Sequence, residues 1–332
     1  MKARIELTGG QVFEGAALCG RPGGFTADIV FNTSMTGITE ILTDPASLGQ
    51  ALVLTYPMIG NSGVSFEDFQ SDAPQVAALI VSELSELESN FRSDDSLKAV
   101  LERSGIPIIA GVDTRSVVRL LRGSGGHGPA RAAVTVGDGG LTAQAVPVQP
   151  RYQGKRRSVT ADKPVATLAV LDTGLRSGLA AAFAARGVSL EVFPYGSAPE
   201  GAFDGYLLPS GPGDPAGYDL APVRDVLQTG KPVFAEGLGH QLLALAHGAK
   251  TYPLSPGHRG ANIPVYSHKT NLSVITLQNH GYAVDADSVA KDKISHVNVN
   301  DGSVEGLCWR EDILSVQFQP DAEVIAEFIS YL

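Results

Sequence analysis

The chain has 332 residues, of which 43% are hydrophobic and 18% charged; this is the balance of a globular protein long enough for two domains, and it excludes a disordered or fibrous protein. Its net charge of −10 argues against a general nucleic-acid binder, and no apolar run approaches the ~20 residues that a membrane helix needs. The N-terminus is too polar for a signal peptide, and two cysteines give neither a disulfide framework nor a metal-ligand spacing, so we expect a soluble cytoplasmic protein with no metal site, membrane partner or nucleic-acid partner.

Residues 1–137 alternate short apolar runs with turns, and we predict strands at "IVFNTSMTG", "QALVLTYPMIGNSG" and "VAALIVSEL". The stretch "SDDSLKAVLERSG" predicts a helix that Ser93 or Asp94 caps and that Gly105 ends. A buried strand, "IPIIAGVD", precedes a second predicted helix, "TRSVVRLLRGSG". The apolar face of that helix is predicted to hold Val117, Leu120 and Leu121.

Residues 138–163 show no clear period and contain Gly, Pro and Gln, so we predict a linker there. The segment carries a basic cluster of Lys155, Arg156 and Arg157. A solvated connector and a partner-docking segment both fit such a cluster, and the connector is the commoner role of a charge run.

Residues 164–332 begin with a strand–helix alternation. The predicted strands are "VATLAVLD", "SLEVFP", "GYLLPS" and "KPVFAEG", and the predicted helices are "LRSGLAAAFAARG", "YDLAPVRDVLQTG" and "LGHQLLALAHG". This order predicts an α/β fold with a mostly parallel sheet flanked by helices. We predict antiparallel additions at "ANIPVYSH", "LSVITLQNHGYAVD" and "SVEGLCWREDILSVQFQPD", and a closing helix at "AEVIAEFISYL".

Three loops are expected at the carboxyl ends of the parallel strands, where such folds bind ligands: 210–215, 236–241 and 319–321. The first, "SGPGDP", has glycines that let backbone N–H groups approach a ligand. The second, "EGLGHQ", has the architecture of a nucleophile elbow. Its tip is Gly237, which adopts strained backbone angles readily but has no side chain that could attack a substrate.

Three polar residues near these loops are also candidates. His280 in "QNHGY" titrates near neutral pH, and Glu236 is a carboxylate beside the elbow tip. A histidine in such a loop is more often structural, and the side chain before an elbow tip is expected to point away from the pocket. His240 opens a helix and is expected to have a structural role.

Long strings over nearly the whole chain resemble one family. In the first half they are "FNTSMTGITEILTDPASLGQ", "LTYPMIGNSGV", "SNFRSDDSL" and "IAGVDTRSVVRLLR". In the second half they are "LPSGPGDP", "LGHQLLALAHGAKTY", "GHRGANIPV", "QNHGYAVD" and "DGSVEGL". On these strings the chain resembles the small, glutamine-hydrolysing subunit of carbamoyl-phosphate synthase. The resemblance implies a small-subunit N-terminal domain at 1–137 and a class I glutamine-amidotransferase-like domain at 164–332.

The resemblance implies a cysteine on the elbow that attacks the side-chain amide of glutamine, and a histidine–glutamate pair that activates the cysteine. The family's "GICLGHQ" corresponds to "AEGLGHQ" here, and "FHPEAS" corresponds to "FQPDAE". The three catalytic positions are therefore Gly237, Gln319 and Asp321. Covalent catalysis is impossible at Gly237, and Gln319 cannot act as a base because a neutral amide does not titrate.

The positions that cradle glutamine in the family are less altered. They correspond here to Gly211, Gly213, Leu238, Gln241, Asn279, Gly281 and Tyr282. The family's serine after "TDP" is Ala46, with Ser47 next to it, and its "LDFG.K.NI" reads "LDTGLRSGL". The segment after "FQPDAE" is also shorter than the corresponding segment of the family. We expect a site that fits glutamine and lacks the groups that cleave it.

The resemblance also implies a partner, a large synthetase subunit that uses ATP and bicarbonate in arginine and pyrimidine synthesis. ATP and Mg are expected in that subunit, and no cofactor is expected in this chain. The function we favour is a pseudo-glutaminase that docks on the large subunit and serves an ammonia-dependent or scaffolding role. Two alternatives stay open: an amino-acid-binding or regulatory module, and a different hydrolase that uses Glu236, His280 or Asp321.

Overall fold

The computed structural model describes residues 1–123, 130–138 and 152–332, which form two compact units. The first unit contains the described residues up to 138 together with Pro253–Gly260. The second contains the described residues from 152 to 252 together with Ala261–Leu332. Half of the predicted linker, residues 139–151, lies outside the described residues.

The first unit contains nine strands and three helices. The strands are β1 (Lys2–Leu7), β2 (Val12–Ala17), β3 (Gly23–Asn32), β4 (Ala51–Leu54), β5 (Met58–Ile59), β6 (Ala78–Ile80), β7 (Glu83–Leu84), β8 (Ile108–Ala110) and β9 (Arg131–Val136). The helices are α1 (Ile38–Thr43), α2 (Leu97–Arg103) and α3 (Thr114–Gly123). Seven strands close into a barrel in the order β1-β2-β8-β6-β4-β3-β9, and β5 pairs with β7 separately.

The barrel combines two kinds of strand pairing. Strand β3 pairs in parallel with β4, β4 with β6, and β6 with β8, whereas β1 is antiparallel to both β2 and β9. Alternate side chains along the strands are buried in the core, such as Ile5, Ile29 and Val53. Closure of the barrel did not follow from the sequence, which predicted the strands without their order.

Helix α2 begins after Ser96, whose Oγ accepts the backbone N–H of Ala99 at 3.0 Å. The predicted caps Ser93 and Asp94 are wrong, because each is engaged elsewhere. Ser93 Oγ donates to the carbonyl of Asp95, and Asp94 Oδ2 accepts the N–H of Phe66. Helix α2 stops just before the predicted Gly105, which takes a φ of +71°.

The buried face of α3 consists of Thr114, Val117, Val118 and Leu121. Leu120, which we predicted on this face, is 38% exposed. Residues 114, 117, 118 and 121 follow the three-to-four-residue period of a helix, and position 120 falls outside that stripe.

The second unit is built on ten strands and four helices. The strands are β10 (Arg157–Val159), β11 (Ala166–Asp172), β12 (Val188–Pro194), β13 (Gly205–Leu208), β14 (Val233–Glu236), β15 (Thr251–Ser267), β16 (Leu272–Val284), β17 (Ile294–Asn298), β18 (Val304–Arg310) and β19 (Ile313–Val316). The helices are α4 (Ser177–Ala184), α5 (Ala221–Gln228), α6 (Leu238–Ala246) and α7 (Ala322–Ile329). The strand order is β10-β12-β11-β13-β14-β19-β18-β16-β15-β17.

The central strands β12, β11, β13 and β14 run parallel, as predicted for this half of the chain, and β19 joins them in parallel. Along β11, Leu168 and Val170 pack on one face of the sheet and Ala169 and Leu171 on the other, which explains the continuous apolar run. None of the described helices is long and apolar enough to cross a membrane.

Two predictions for this half were wrong in detail. Strand β19 was predicted as an antiparallel addition, but it pairs in parallel with β14, with Val316 opposite Glu236. Strand β19 is antiparallel to β18. The chain therefore reverses between these two strands, and β19 runs in the same direction as the central strands. Residues Arg157–Val159 were assigned to the linker, whereas they form β10, which pairs with β12 at the edge of the sheet.

The basic cluster in this segment is partly structural. The guanidinium of Arg156 lies 5.0 Å from the ring centroid of Phe193, and Arg157 Nη1 lies 3.4 Å from Asp172 Oδ2. Asp172 is fully buried at the end of β11, and burial raises the pKa of its carboxyl group above the usual value. Two of the three charges, Arg156 and Arg157, therefore contact other residues of the second unit.

Candidate functional site

The elbow lies between β14 and α6, with Gly237 at its tip. Gly237 has φ +57° and ψ −114°, a left-handed conformation that favours glycine. Its N–H donates to the carbonyl of Val316 at 2.9 Å, and the N–H of Gly239 donates to Pro209 at 3.0 Å. These two bonds bring the elbow to the ends of β19 and β13, so the three predicted loops lie together.

The space beside Gly237 is occupied by Ser210. A Cβ atom built on Gly237 would lie 2.8 Å from Ser210 Cβ, which is closer than real Cβ contacts allow. Any side chain at the tip, including a cysteine, would therefore force the 210–215 loop to shift. The elbow tip thus lacks a reactive side chain and is also crowded.

Arg176 joins Glu236, the residue before the elbow tip, to Gln319. Its Nε and Nη2 donate to Glu236 Oε1 at 3.2 and 2.7 Å, and its Nη1 donates to Gln319 Oε1 at 3.1 Å. The Arg176 and Glu236 side chains are only 9% and 2% exposed. A buried carboxylate needs such a partner, because an unpaired charge in the interior is very costly. The elbow therefore contains a buried ion pair.

Gln319 is held on both its backbone and its side chain. Its N–H donates to the carbonyl of Leu277 in β16 at 2.9 Å. Since a guanidinium only donates hydrogen bonds, the amide atom that faces Arg176 is the oxygen. The side-chain NH₂ group of Gln319 consequently lies on the other side, where it presents donors.

Asp321 serves as the N-cap of α7. Its Oδ1 accepts the N–H groups of Glu323 and Val324 at 3.0 and 2.9 Å, and the residue is exposed. Side-chain capping of this kind satisfies helix donors that have no other partner. The Asp321 carboxylate therefore has a structural role in this chain.

Gln241 and Tyr282, two of the predicted glutamine-binding residues, are in direct contact. Gln241 Nε2 donates to the Tyr282 carbonyl at 2.8 Å and to Gln317 Oε1 at 2.9 Å. Asn279 and Gly281 lie on the same strand, β16, and are half-buried. The structure thus groups these residues around the start of α6 and the end of β19.

Gly211 and Gly213 lie in the loop after β13. A Cβ atom on Gly211 would lie 2.9 Å from Leu238 Cδ2, so the loop packs closely on the predicted pocket residue Leu238. Gly213 has a φ of +91°. Thr173, where the family has phenylalanine, places its Oγ1 2.8 Å from the Pro209 carbonyl and fixes the same loop.

Ala46 belongs to the first unit and lies in a 3₁₀ turn, Pro45–Ser47. Its backbone N–H donates to Asp44 Oδ1 at 2.9 Å. The neighbouring Ser47 is buried and its Oγ donates to the Ile41 carbonyl at 3.0 Å, so this hydroxyl already has an acceptor.

The two candidate histidines are both buried. His280 Nδ1 lies 2.8 Å from the Tyr282 carbonyl, and its Nε2 lies 3.0 Å from Gln278 Oε1. His240 Nδ1 lies 2.8 Å from Ser315 Oγ, and burial, with a smaller contribution from the charge of His296, lowers the pKa of His240 to about 3. Neither ring is positioned as a solvent-accessible base.

Sequence reasoning missed Arg176 and Ser210. Arg176 lies in "LDTGLRSGL", which differs from the family pattern, and a glutamate next to an elbow tip indicates that a cation must be close. These two signals, taken together, could have predicted the ion pair. The contact between Ser210 and Gly237 joins residues far apart in sequence and leaves no local signal.

Comparison with known proteins matches each half of the chain to a family. Residues 5–130 match the family "Carbamoyl-phosphate synthase small chain, CPSase domain", and residues 169–327 match "Glutamine amidotransferase class-I". A carbamoyl phosphate synthase small chain from Chlorobaculum tepidum is 39% identical over 341 residues, covering 96% of this chain and 92% of that protein.

Two further relatives of the same name are similarly close. The one from Caldanaerobacter subterraneus subsp. tengcongensis is 37% identical over 336 residues, covering 97% of this chain and 92% of the relative. The one from Polynucleobacter asymbioticus is 35% identical over 372 residues, covering 99% and 94%. With both halves of the chain matched in order, the chain belongs to the family of carbamoyl-phosphate synthase small chains, with a class I glutamine amidotransferase fold in its C-terminal half.

Proposed function

We propose that this chain is a pseudo-glutaminase: a small-chain homologue that docks on a synthetase large subunit and does not hydrolyse glutamine. The observation that carries the proposal is the elbow itself. Its tip is Gly237, which has no side chain, and the former histidine position is Gln319, which accepts a hydrogen bond from Arg176. Loss of catalytic-triad groups reduces rates by about 10⁴–10⁶-fold, and the residual rate comes from binding and backbone donors.

The contacts of the other polar groups argue against a new hydrolase on the old pocket. Glu236 is buried against Arg176, and the ring nitrogens of His280 both lie within hydrogen-bond distance of oxygen atoms. Asp321 caps α7. A nucleophile or base has to reach a substrate, and each of these groups is already used within the fold.

Exposed apolar residues in the first unit support docking. Phe91 is 98% exposed, Leu87 78% and Phe66 50%. Their loops are tied together: Ser89 N–H donates to Asn61, and Phe66 N–H donates to Asp94 Oδ2, at 2.9 and 2.8 Å. Large exposed apolar side chains grouped in this way are typical of a protein–protein interface.

In this proposal the large subunit supplies the ATP, Mg and bicarbonate chemistry, and this chain supplies no cofactor. The complex would use free ammonia to make carbamoyl phosphate for arginine or pyrimidine synthesis. The match of the first unit to the small-chain family fits a docking role.

The proposal is tested by recovering the native complex and assaying carbamoyl phosphate formation. The tagged chain is pulled down from its host, and the eluate is supplied with ATP, Mg, bicarbonate and either ammonia or glutamine. We expect a large subunit in the eluate and product with ammonia alone. Product formed from glutamine at a comparable rate, or an eluate without a large subunit, would contradict the proposal.

Two variants locate the docking surface. Phe91→Asp combined with Leu87→Asp should greatly reduce recovery of the large subunit, because charges replace exposed apolar contacts. Val165→Asp is a matched control, since Val165 is 76% exposed and lies in the second unit. Equal recovery of the large subunit with the double variant and with the Val165→Asp control would place the interface elsewhere.

A further inference from the structure

A cavity of about 560 Å³ lies in the second unit, between α7 and the strands β17, β18 and β19. Leu307, Val316 and Phe318 give it a buried apolar lining. Neither Gly237 nor Gln319 lines it, so this cavity is distinct from the elbow tip. Its size, together with an apolar lining and a small number of polar groups, is typical of a site for a small molecule.

Five carboxylates surround the apolar lining, and they come from three parts of the second unit. They are Asp292 before β17, Glu311 between β18 and β19, and Asp321, Glu323 and Glu327 at α7. In the part of the chain that the structure describes, Lys269 is the only lysine or arginine that lines the cavity, and its Nζ lies 2.8 Å from Glu327 Oε1. The cavity therefore carries an excess of negative charge on more than one wall.

Two of these carboxylates are not neutralised within the fold. The side chains of Glu311 and Glu323 are exposed and make no hydrogen bond or ion pair with another described residue. Glu323 also lies one helical turn from Glu327, and both line the cavity. Like charges at this spacing repel, so a cation beside Glu323 would be stabilising.

The other titratable groups that line the cavity from β17 and β18 do not add positive charge. Burial lowers the pKa of His296 below its usual value, so this ring is neutral at pH 7. Its Nδ1 lies 3.0 Å from Ser295 Oγ, and the ring packs edge-on against Phe318. Burial raises the pKa of the Cys308 thiol, which is therefore uncharged as well. The charge of the lining resides in the carboxylates and in Lys269.

A matching ligand needs an apolar stem for the lining and positive charges for carboxylates on separate walls. We propose that this cavity binds an aliphatic diamine, with its carbon chain against Leu307, Val316 and Phe318 and its ammonium groups beside Glu311 and Glu323. The site goes beyond the proposed function and does not depend on the loss of hydrolysis. It is tested by binding to the chain alone, so its failure would leave the pseudo-glutaminase proposal standing.

The test is isothermal titration calorimetry of the full chain with 1,5-diaminopentane. Pentane-1,5-diol has the same length without charge, and 1-aminopentane has a single ammonium group. We expect saturable binding of one diamine per chain, at least about tenfold tighter than binding of either comparison compound, because each lost ammonium removes a charge-assisted contact. Equal binding of the diol or the monoamine, or no saturable binding of the diamine, would overturn the inference.

A double variant tests the location of the site. Glu311→Gln combined with Glu323→Gln removes two exposed carboxylates from the cavity and should weaken diamine binding at least about tenfold. The matched control is Glu200→Gln combined with Asp225→Asn, which removes the same charge from exposed positions of the second unit outside the cavity. This control should bind the diamine as the wild-type chain does. Unchanged binding by the cavity variant, or equal weakening by both variants, would overturn the site.

Discussion

Arg176 organises the site at the scale of single residues. Its guanidinium bonds Glu236 on one side and Gln319 on the other, so it links the elbow to the end of β19. A change at one of these positions therefore affects the others. Glu236, Arg176 and Gln319 are in this sense parts of one hydrogen-bond network.

The Arg176–Glu236 pair is expected to show strong coupling. Arg176→Met leaves a buried carboxylate without its partner and should reduce the free energy of unfolding by about 3–5 kcal/mol. The double variant Arg176→Met/Glu236→Leu should lose much less, because both charges are then removed. Urea denaturation of the single and double variants measures this, and additive losses would show that the pair is not coupled.

Gly237→Cys is expected to restore no glutamine hydrolysis, because Gln319 cannot take up a proton. It should also reduce stability by about 1–3 kcal/mol, through the left-handed backbone and the contact with Ser210. Gly248→Cys is the control for the backbone, since Gly248 has a φ of +88° and open space around it.

Ammonia release and urea denaturation provide the two measurements. A stability loss for Gly237→Cys no greater than that for Gly248→Cys would mean that Ser210 moves aside freely. Measurable hydrolysis by Gly237→Cys alone would show that another group can activate the thiol.

Helices α6 and α7 flank the site, and polar residues in or next to them have structural roles. Helix α7 is capped by Asp321, and helix α6 buries His240 against β19. The sequence places Asp321 at a catalytic position by family resemblance, yet Asp followed by "AEVIAEF" is equally an N-cap pattern. The capping role and the catalytic role compete for the same carboxylate, and in the structure Asp321 caps α7.

Asp321→Ala should destabilise the chain by about 1 kcal/mol, because two N–H groups of α7 lose their acceptor. Asp321→Asn should cost little, since asparagine caps equally well. Thermal unfolding of both variants compares them directly. Equal losses for the two would indicate that charge, rather than capping, is what Asp321 contributes.

His240 in α6 gives a defined pH dependence. Its folded pKa of about 3 lies below the ordinary value of 6.5, so the unfolded chain binds a proton that the folded chain does not. The contribution of neutral His240 is complete above pH 6.5 and is lost as the pH falls toward 3. At pH 5 the loss is about 2 kcal/mol.

The variant His240→Gln isolates this effect, because glutamine keeps a polar group near Ser315 and does not titrate in this range. Between pH 7.5 and 5, wild-type chain should lose more unfolding free energy than the variant, as measured by urea denaturation. Identical pH profiles would show that His240 has the same pKa in the folded and the unfolded chain.

Element types were largely predictable from the sequence, and their spatial relations were not. The continuous apolar run of β11 and the helix–strand alternation identify the parallel sheet. The direction of β19 depends on its pairing with β14, which lies about 80 residues earlier in the chain, and no local pattern encodes that pairing. The α2 cap was missed because three consecutive residues before Ser96 are also capping types.

At the scale of the whole molecule, each of the two units corresponds to one of the two family matches. The family match covers 5–130 and 169–327, so neither unit has been lost. The exposed apolar side chains of the first unit and the elbow of the second are separate features. Docking and glutamine hydrolysis can therefore be tested independently of each other.

The most direct test of the account is the rate at which the purified chain releases ammonia from glutamine, alone and with its large subunit. The Chlorobaculum tepidum small chain, assayed in parallel, is the comparison. We expect no release above background from this chain, because the elbow has no nucleophile and Gln319 is not a base. Ammonia release at a rate comparable to that of the Chlorobaculum small chain would contradict the account.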